Sequence, residues 1–568
     1  MTLSGTFGDL ALASLLSGIA WPSCGAAPDQ RAPADTILVD GGIYTVDSER
    51  SWAQAMAILD GRIVAVGTND EILTLKGSGT AVIDLTGRMA LPGFHDSHVH
   101  VMSAGVEEIQ CPLTDLETVD AVLAAVKTCA ESPVYGWVVG SGWNVALFPR
   151  TGPRKELLDE AVPGLPVILE DVDGHSAWVS SRALEIAGID AQTPDPENGA
   201  IERDAKTGEP SGTVREAAMD LVEAHAPAPT AEMLRKGLKL ALAHVREVGI
   251  TSFIEARVDE TEFETFKALA ESQELTAKVR LSITYGMFGS DDFETLLARH
   301  DEIRGPRLNA DSVKIFLDGV IEGETAALLE PYLTRPGSRG STSLTRAELD
   351  AAVTRFDAMG LQVHMHAIGD AATRAGLDAV AAARAKNGAS DHRHHISHLQ
   401  LIHPDDIPRF AELDVAANFQ TLWAFPDDYI VKLNLPQVGP ERVNRMYPIG
   451  SVRRSGGRLV AGSDWSVSTV NPWPAIEVAL TRQDPRAYGG DVLNASERID
   501  LASMIDAYTI HGAWLMHQDK ETGSIEVGKA ADIVVIDRDV FSVPATELSE
   551  VRVDLTLLDG EVIYRREE

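Results

Sequence analysis

The stretch LPGFHDSHVH, residues 91–100, places His98 and His100 two apart. Side chains at i and i+2 of a strand share a face, so the two imidazoles address one space. Related residue types recur at the ends of other β-branched runs: Lys314 in SVKIFLDG, His364 and His366 in VHMHAIGD, His398 in SHLQ and Asp464 in AGSDWSV. Imidazole and carboxylate together form a divalent-metal site, and such a site can activate water towards a carbonyl-like carbon. Each residue taken singly also fits a plainer role. His98 and His100 could be a hydrogen-bonded pair, Lys314 could snorkel past its apolar neighbours, and Gly-Ser-Asp is also a helix N-cap pattern. His392, His394 and His395 read as a solvated run before a strand. What favours a metal site is the order along the chain: H-x-H, Lys, His, His, Asp.

Something must hold these residues together. Eight apolar runs read as core strands: LPGFHDSHVH, GITSFIEA, VRLSITY, SVKIFLDG, LQVHMHAIGD, HHISHLQ, DVAANFQ and RLVAGSDWSV. Helical stretches such as AEMLRKGLKLALAHVREVG and RAELDAAVTRFDAMG lie between some of them. This alternation predicts an α/β protein built on a TIM-type (β/α)8 barrel, with its site at the C-terminal ends of the strands. The barrel is assigned to residues 91–519. The gap after the first strand is too long for a loop, so an inserted subdomain is expected over about 101–245. Short strands with Asp-Gly and Gly-Gly turns appear at both chain ends, which predicts one small β-sandwich domain split between 35–90 and 520–568.

Lys plus Arg number 49 against 85 Asp plus Glu, a formal net charge of −36. That balance argues against nucleic acid or an anionic membrane as partner. Residues 1–34 read as a leader or signal segment. The apolar run Leu10–Trp21 is short for a membrane span and no Lys or Arg precedes Arg31, so the signal is atypical. Cys24 resembles a lipid-anchor acceptor only loosely, and export to the periplasm is favoured over the cytoplasm. Cys24, Cys111 and Cys129 form no close-spaced pair, so neither a disulfide framework nor a zinc ribbon is indicated.

Taken together, PGFHDSHVH, KIFLDG, HAIGD, SHLQ and GSDW resemble the metal-dependent amidohydrolase superfamily, most closely the branch that includes N-substituted formamide deformylases. The resemblance runs from about residue 35 to the end. It implies that His98, His100, His366, His398 and Asp464 ligate two divalent ions, with zinc expected, and that Lys314 is carboxylated to a bridging carbamate. A carbamate suits the position, because a buried ammonium would repel the metals. Spacing alone leaves His364 and His366 equivalent; the family pattern, with the ligand directly before Ala-Ile-Gly-Asp, selects His366. In the implied mechanism a metal-bridging hydroxide attacks an amide carbonyl, and Asp464 passes its proton to the leaving nitrogen.

The resemblance also places EDVDGHSAWV over the barrel mouth, where His175 would polarise the substrate carbonyl or bind its tail. Trp143, Gln420 and Trp423 are candidate pocket walls, and Asp318 would orient Lys314 or the substrate. The implied function is hydrolysis of a non-peptide C–N bond in a small amide, N-substituted formamides among them. A deaminase, a cyclic-imide or lactam hydrolase and a lactonase share the same expected centre. A non-catalytic scaffold would usually have lost ligands, whereas all six positions are kept here. The expected partner is a small molecule, and a homodimer of barrels is compatible with the sequence.

Overall fold

The computed structural model describes residues 1, 32–114, 116–289, 293–487 and 489–567. Most of the expected leader, including Cys24, lies outside them. Eight strands form one parallel sheet in chain order: β1 (Phe94–Val99), β2 (Ile250–Val258), β3 (Lys278–Tyr285), β4 (Leu308–Phe316), β5 (Gln362–Ala367), β6 (His395–His398), β7 (Ala416–Phe419) and β8 (Leu459–Ala461). Each is parallel to its neighbour, and β8 comes back beside β1, so the sheet is a nearly closed barrel. The eight apolar runs of the sequence are these strands. Parallel strands covered by helices are buried on both faces and therefore read as continuous apolar stretches.

Two helices flank the first crossover. α1 (Val101–Ile109) follows β1, and α2 (Ala231–Glu247) leads into β2. α2 starts where the Thr230 hydroxyl accepts from the Met233 amide, and it buries Leu234, Leu238, Ala241, Leu242 and Val245, one stripe at helical spacing. The two helices cross at Gly105 and Gly237. A Cβ on Gly105 would stand 2.1 Å from the Gly237 carbonyl oxygen. Only residues without a side chain let the backbones approach this closely.

Both helices belong to the barrel, so the insertion is smaller than the 101–245 read from the sequence. Between them lies a six-stranded sheet spanning Cys111 to Glu216, with its own apolar core around Trp143, Leu169 and Trp178. A disulfide joins Cys111 to Cys129 within it, Cα atoms 5.7 Å apart, contrary to the expectation from cysteine spacing. Eighteen residues separate the pair, and the packing of strand Cys111–Pro112 on helix Val119–Cys129 brings the sulfurs together.

Strands from the two chain ends share a second layer system. Met89–Pro92 pairs with Ile533–Ile536 on one side and with Gly42–Tyr44 on the other. A four-stranded sheet from residues 36–84 packs over it, with Leu38, Met56, Ile58, Ile533, Val535 and Leu557 in the shared core. Lys278, at the start of β3, makes a buried ion pair with Asp532 that ties this layer to the barrel.

Gly105→Ala should lower the stability measured by chemical denaturation by about 1–3 kcal/mol, the usual cost of overpacking. Gly79→Ala, where a Cβ meets nothing within 4 Å, should leave it unchanged to within about 0.5 kcal/mol.

Candidate metal centre

The centre is assembled where β8 meets β1. The Asp464 amide donates to the His98 carbonyl (2.8 Å), and the His100 amide donates to the Trp465 carbonyl (2.9 Å), stitching GSDW along HVH. Gly462 permits the contact, since a Cβ there would stand 2.7 Å from the His98 Cβ. Buried Asp96 accepts from the His98 and Ser463 amides at 3.1 and 3.0 Å. Glu255 of β2 accepts from the Val101 and Met102 amides and so caps α1, which the His100 side chain does not. As a result Asp464 Oδ1 lies 3.2 Å from Nε2 of both His98 and His100, with Oδ2 3.8 Å from His398 Nδ1.

β4, β5 and β6 supply the rest. Lys314 is fully buried, with Nζ 4.5 Å from the centre of the Phe316 ring. The His366 ring lies 4.5 Å from that of His398, which in turn lies 4.7 Å from His98. His398 follows Ser397, whose side chain faces the barrel interior, so regular alternation would turn His398 outward. Its backbone instead adopts φ +76°, followed by Leu399 at +54°, and this left-handed turn brings the imidazole in. Asp464 also has a left-handed φ of +54°. Non-glycine residues rarely adopt this region, and such strain concentrates at functional sites.

His364 does something different. Its Nε2 lies 2.8 Å from His98 Nδ1 and 3.0 Å from Ser397 Oγ, and its Nδ1 lies 3.2 Å from Ser282 Oγ, which donates to Ser312. One proton assignment satisfies the whole chain: His98 Nδ1–H and the Ser397 hydroxyl donate to His364 Nε2, and His364 Nδ1–H donates to Ser282. Both ring nitrogens of His364 are thereby used, and the His98 Nε2 lone pair points at the centre. His364 supports a ligand, as second partners of metal-bound histidines do.

The donors fit a divalent cation. Among the described residues His98 Nε2, Lys314 Nζ, His366 Nδ1, His398 Nδ1 and Asp464 Oδ1 are buried without a hydrogen-bond partner. Leaving such groups unsatisfied costs about 1–3 kcal/mol each, and more if charged. Burial pushes His98 down to about 3 and lowers His100, His366 and His398 as well, so the rings are neutral and have a lone pair to give. Burial works against the Asp464 anion, yet His98 and His100 hold its carboxyl well below the usual range. Burial also lowers the Lys314 amine to about 7.

Residues 81–564 match the amidohydrolase family profile. The chain belongs to the amidohydrolase family. Protein LONG AFTER FAR-RED 3 of Arabidopsis thaliana is 30% identical over 97% of this chain and 95% of its own length. The N-substituted formamide deformylase of Arthrobacter pascens is 28% identical over 94% and 98%. An uncharacterized metal-dependent hydrolase from Pyrococcus horikoshii shares the fold, with a TM-score of 0.71 at 23% identity over 90% of this chain and 99% of that one. This amidohydrolase is thus a metal-dependent hydrolase of non-peptide C–N bonds acting on a small molecule.

The mouth of the amidohydrolase is covered by the inserted sheet. Its hairpin between Val167–Asp171 and Ser176–Val179 brings the His175 ring 5.5 Å from that of His366. Burial disfavours a charged ring there, but the Glu216 carboxylate, 2.8 Å from Nδ1, and nearby Asp171 and Asp173 push His175 up to about 9. Glu216 also accepts from Thr325 (2.7 Å) and was not singled out from sequence. No local pattern marks it, because its partners lie 41 and 109 residues away. Trp423 stacks on His398, rings 5.7 Å apart and 4° from parallel. Trp143 packs in the insertion's core against Phe148 and Trp178, its indole donating to the Leu169 carbonyl (2.8 Å). Gln420 is buried beside Asn418, with Oε1 unpartnered among the described residues. Asp318 serves a neighbour other than Lys314. It accepts from the Ala327, Ile368 and Gly369 amides and so orders the loop after β5, with its Oδ1 3.3 Å from His366 Nδ1.

A second group of metal-ligand types, Asp357, His392 and His394, lies beside the N-terminal ends of β5 and β6. The solvated run expected at His392, His394 and His395 is not what the structure has: His394 and His395 are buried, and His392 is half-buried and donates to Asp357 (2.9 Å). The Val363 amide donates to His394 Nδ1 (3.0 Å), which places the proton on Nε2, 3.1 Å from Asp357. With that nitrogen protonated the ring cannot ligate through it, and the cluster is a hydrogen-bonded clip. Against the cost of burial, His394, Asn387, His392 and Ser390 hold the Asp357 carboxyl far below its ordinary value.

Two outcomes separate the clusters. His364→Ala should weaken metal binding about 10–100-fold in chelator competition, while Asp357→Asn leaves metal content unchanged. Because the Asp357 carboxyl is depressed in the folded state, its stabilisation is present above the unfolded carboxylate pKa of about 4 and is lost as pH falls. Denaturation midpoints measured from neutral to acid pH should therefore fall more steeply in the wild type than in Asp357→Asn.

Proposed function

We propose that this amidohydrolase hydrolyses a small N-substituted amide, with formamides the leading class, using two divalent ions, zinc by ligand chemistry, and a carboxylated Lys314. The observation that carries the reading is the buried, unpartnered Lys314 Nζ facing the same space as His98, His366, His398 and Asp464. In carboxylation the neutral amine attacks carbon dioxide, an N–C bond forms as one C=O π bond opens, and one proton leaves to solvent, which replaces a would-be cation with a carbamate whose single negative charge is shared by two oxygens. His98, His100 and Asp464 would hold one ion and His366 and His398 the other, with the Lys314 carbamate shared between them. When bound, such a pair lowers the pKa of water and polarises a carbonyl.

The chain's own residues do the rest. Asp464, ionised and beside both His98 and His100, takes the proton released as water adds to the carbonyl and delivers it to the departing nitrogen. An amine leaves far more readily than an amide anion, so this transfer is required; general acid–base steps of this kind contribute about 10²–10⁴-fold. His175, kept protonated by Glu216, donates from its other nitrogen to the carbonyl oxygen as negative charge develops there. The formamide preference draws on the likeness to the Arthrobacter pascens deformylase.

Elemental mass spectrometry of unchelated protein should find about two metal ions per chain, and a panel of formamides and other small amides should contain substrates. Lys314→Ala should fall to about one ion and lose more than about 100-fold in kcat/KM. A metal-free wild type that takes up none with zinc and bicarbonate, or unimpaired hydrolysis by Lys314→Ala, would overturn the reading.

A further inference from the structure

One cation near the barrel mouth has no assigned work. Arg257 sits at the end of β2, where the register slips between Glu255 and Val258. Such bulges re-aim a side chain. Its neighbours Ala256 and Val258 are buried, whereas Arg257 is exposed. Among the described residues it makes no hydrogen bond or ion pair; its one close contact is the Phe288 ring, with the guanidinium carbon 5.7 Å from the centroid. Phe288 is held at a left-handed φ of +62° and also faces Phe316 (4.9 Å) and His175 (6.1 Å). Phe316 in turn lies against Lys314. A single aromatic wall therefore runs from the candidate centre to the guanidinium.

Carboxylates surround this corner, but they do not neutralise it by contact. Burial raises Glu170, Glu223, Glu262 and Asp220, while Glu262, Glu170, Glu223 and Asp259 in turn hold the guanidinium in its charged form. Asp259 is committed as the N-cap of helix Glu260–Glu271, accepting from the Glu262 amide at 2.8 Å. The guanidinium keeps its charge and its planar fork of donors, a geometry matched to a carboxylate.

We propose that Arg257 anchors an anionic group of the substrate, so that the amides this enzyme prefers carry a carboxylate at the far end of the substituent that lies along Phe288. The inference rests on the amide-hydrolase reading above and narrows its substrate class. An aromatic or extended substituent would lie against Phe288 while its carboxylate meets the fork of Arg257.

The test compares N-benzylformamide with its para-carboxybenzyl counterpart on the metal-loaded enzyme, by calorimetric binding and by kcat/KM. The wild type should favour the carboxylate compound by about 10–100-fold, the value of a charge-assisted pair. Arg257→Met should erase that preference, and Arg257→Lys should keep part of it. No preference in the wild type, binding of neither compound, or a preference that survives in Arg257→Met would overturn the proposal. The last result would mean that the carboxylate is held by the metals. Selective binding that depends on Arg257, without turnover of either compound, would uphold the anchor and discard the formamide reading.

Discussion

The structure depends on how the first and last barrel strands meet. Two backbone hydrogen bonds between HVH and GSDW close the ring at β1 and β8 and, in the same step, press the Asp464 carboxylate between His98 and His100. Closure of the barrel and assembly of the centre use the same contacts. The contact tolerates no Cβ at Gly462 and requires a left-handed backbone at Asp464, so it is paid for by packing elsewhere, chiefly the continuous apolar layer between the strands and the outer helices.

Around that junction each functional side chain is held by a partner anchored to the backbone. Asp96 bridges β1 to the β8 loop, Glu255 secures the turn after His100, Asp318 gathers the loops behind His366, and the His364–Ser282–Ser312 chain fixes the tautomer of His98. Burial keeps the histidines neutral while their mutual geometry keeps Asp464 ionised. These opposite outcomes come from one environment. Desolvation penalises every charge, and at Asp464 the attraction of His98 and His100 outweighs it.

The two histidine–aspartate clusters show why residue type and proximity do not define a metal site. Asp357, His392 and His394 converge as closely as His98, His398 and Asp464 do. A backbone amide donating to His394 Nδ1 forces the proton onto the nitrogen that a metal would need. At His98 the corresponding nitrogen donates to His364, and the inward lone pair is free.

The sequence by itself determined the barrel. Eight apolar runs alternating with amphipathic helices can bury their faces in few other ways, and the same-face spacing of His98 and His100 is a local property of a strand. Tertiary structure decided what local pattern could not. His364 and His366 share a face, and what tells a support from a candidate ligand is that Ser282, Ser397 and His98 use both ring nitrogens of His364 while His366 Nδ1 has no hydrogen-bond partner among the described residues. Alternation would turn His398 away from the centre; a left-handed turn, invisible in SHLQ, brings it in. The disulfide arises from the packing of a strand on the helix that follows it, the Glu216 partner of His175 from a contact between more distant elements, and the exposed Arg257 from a bulge in the ladder. Periodicity reports which face a residue occupies, whereas the role of a buried polar group is set by the atoms it meets there.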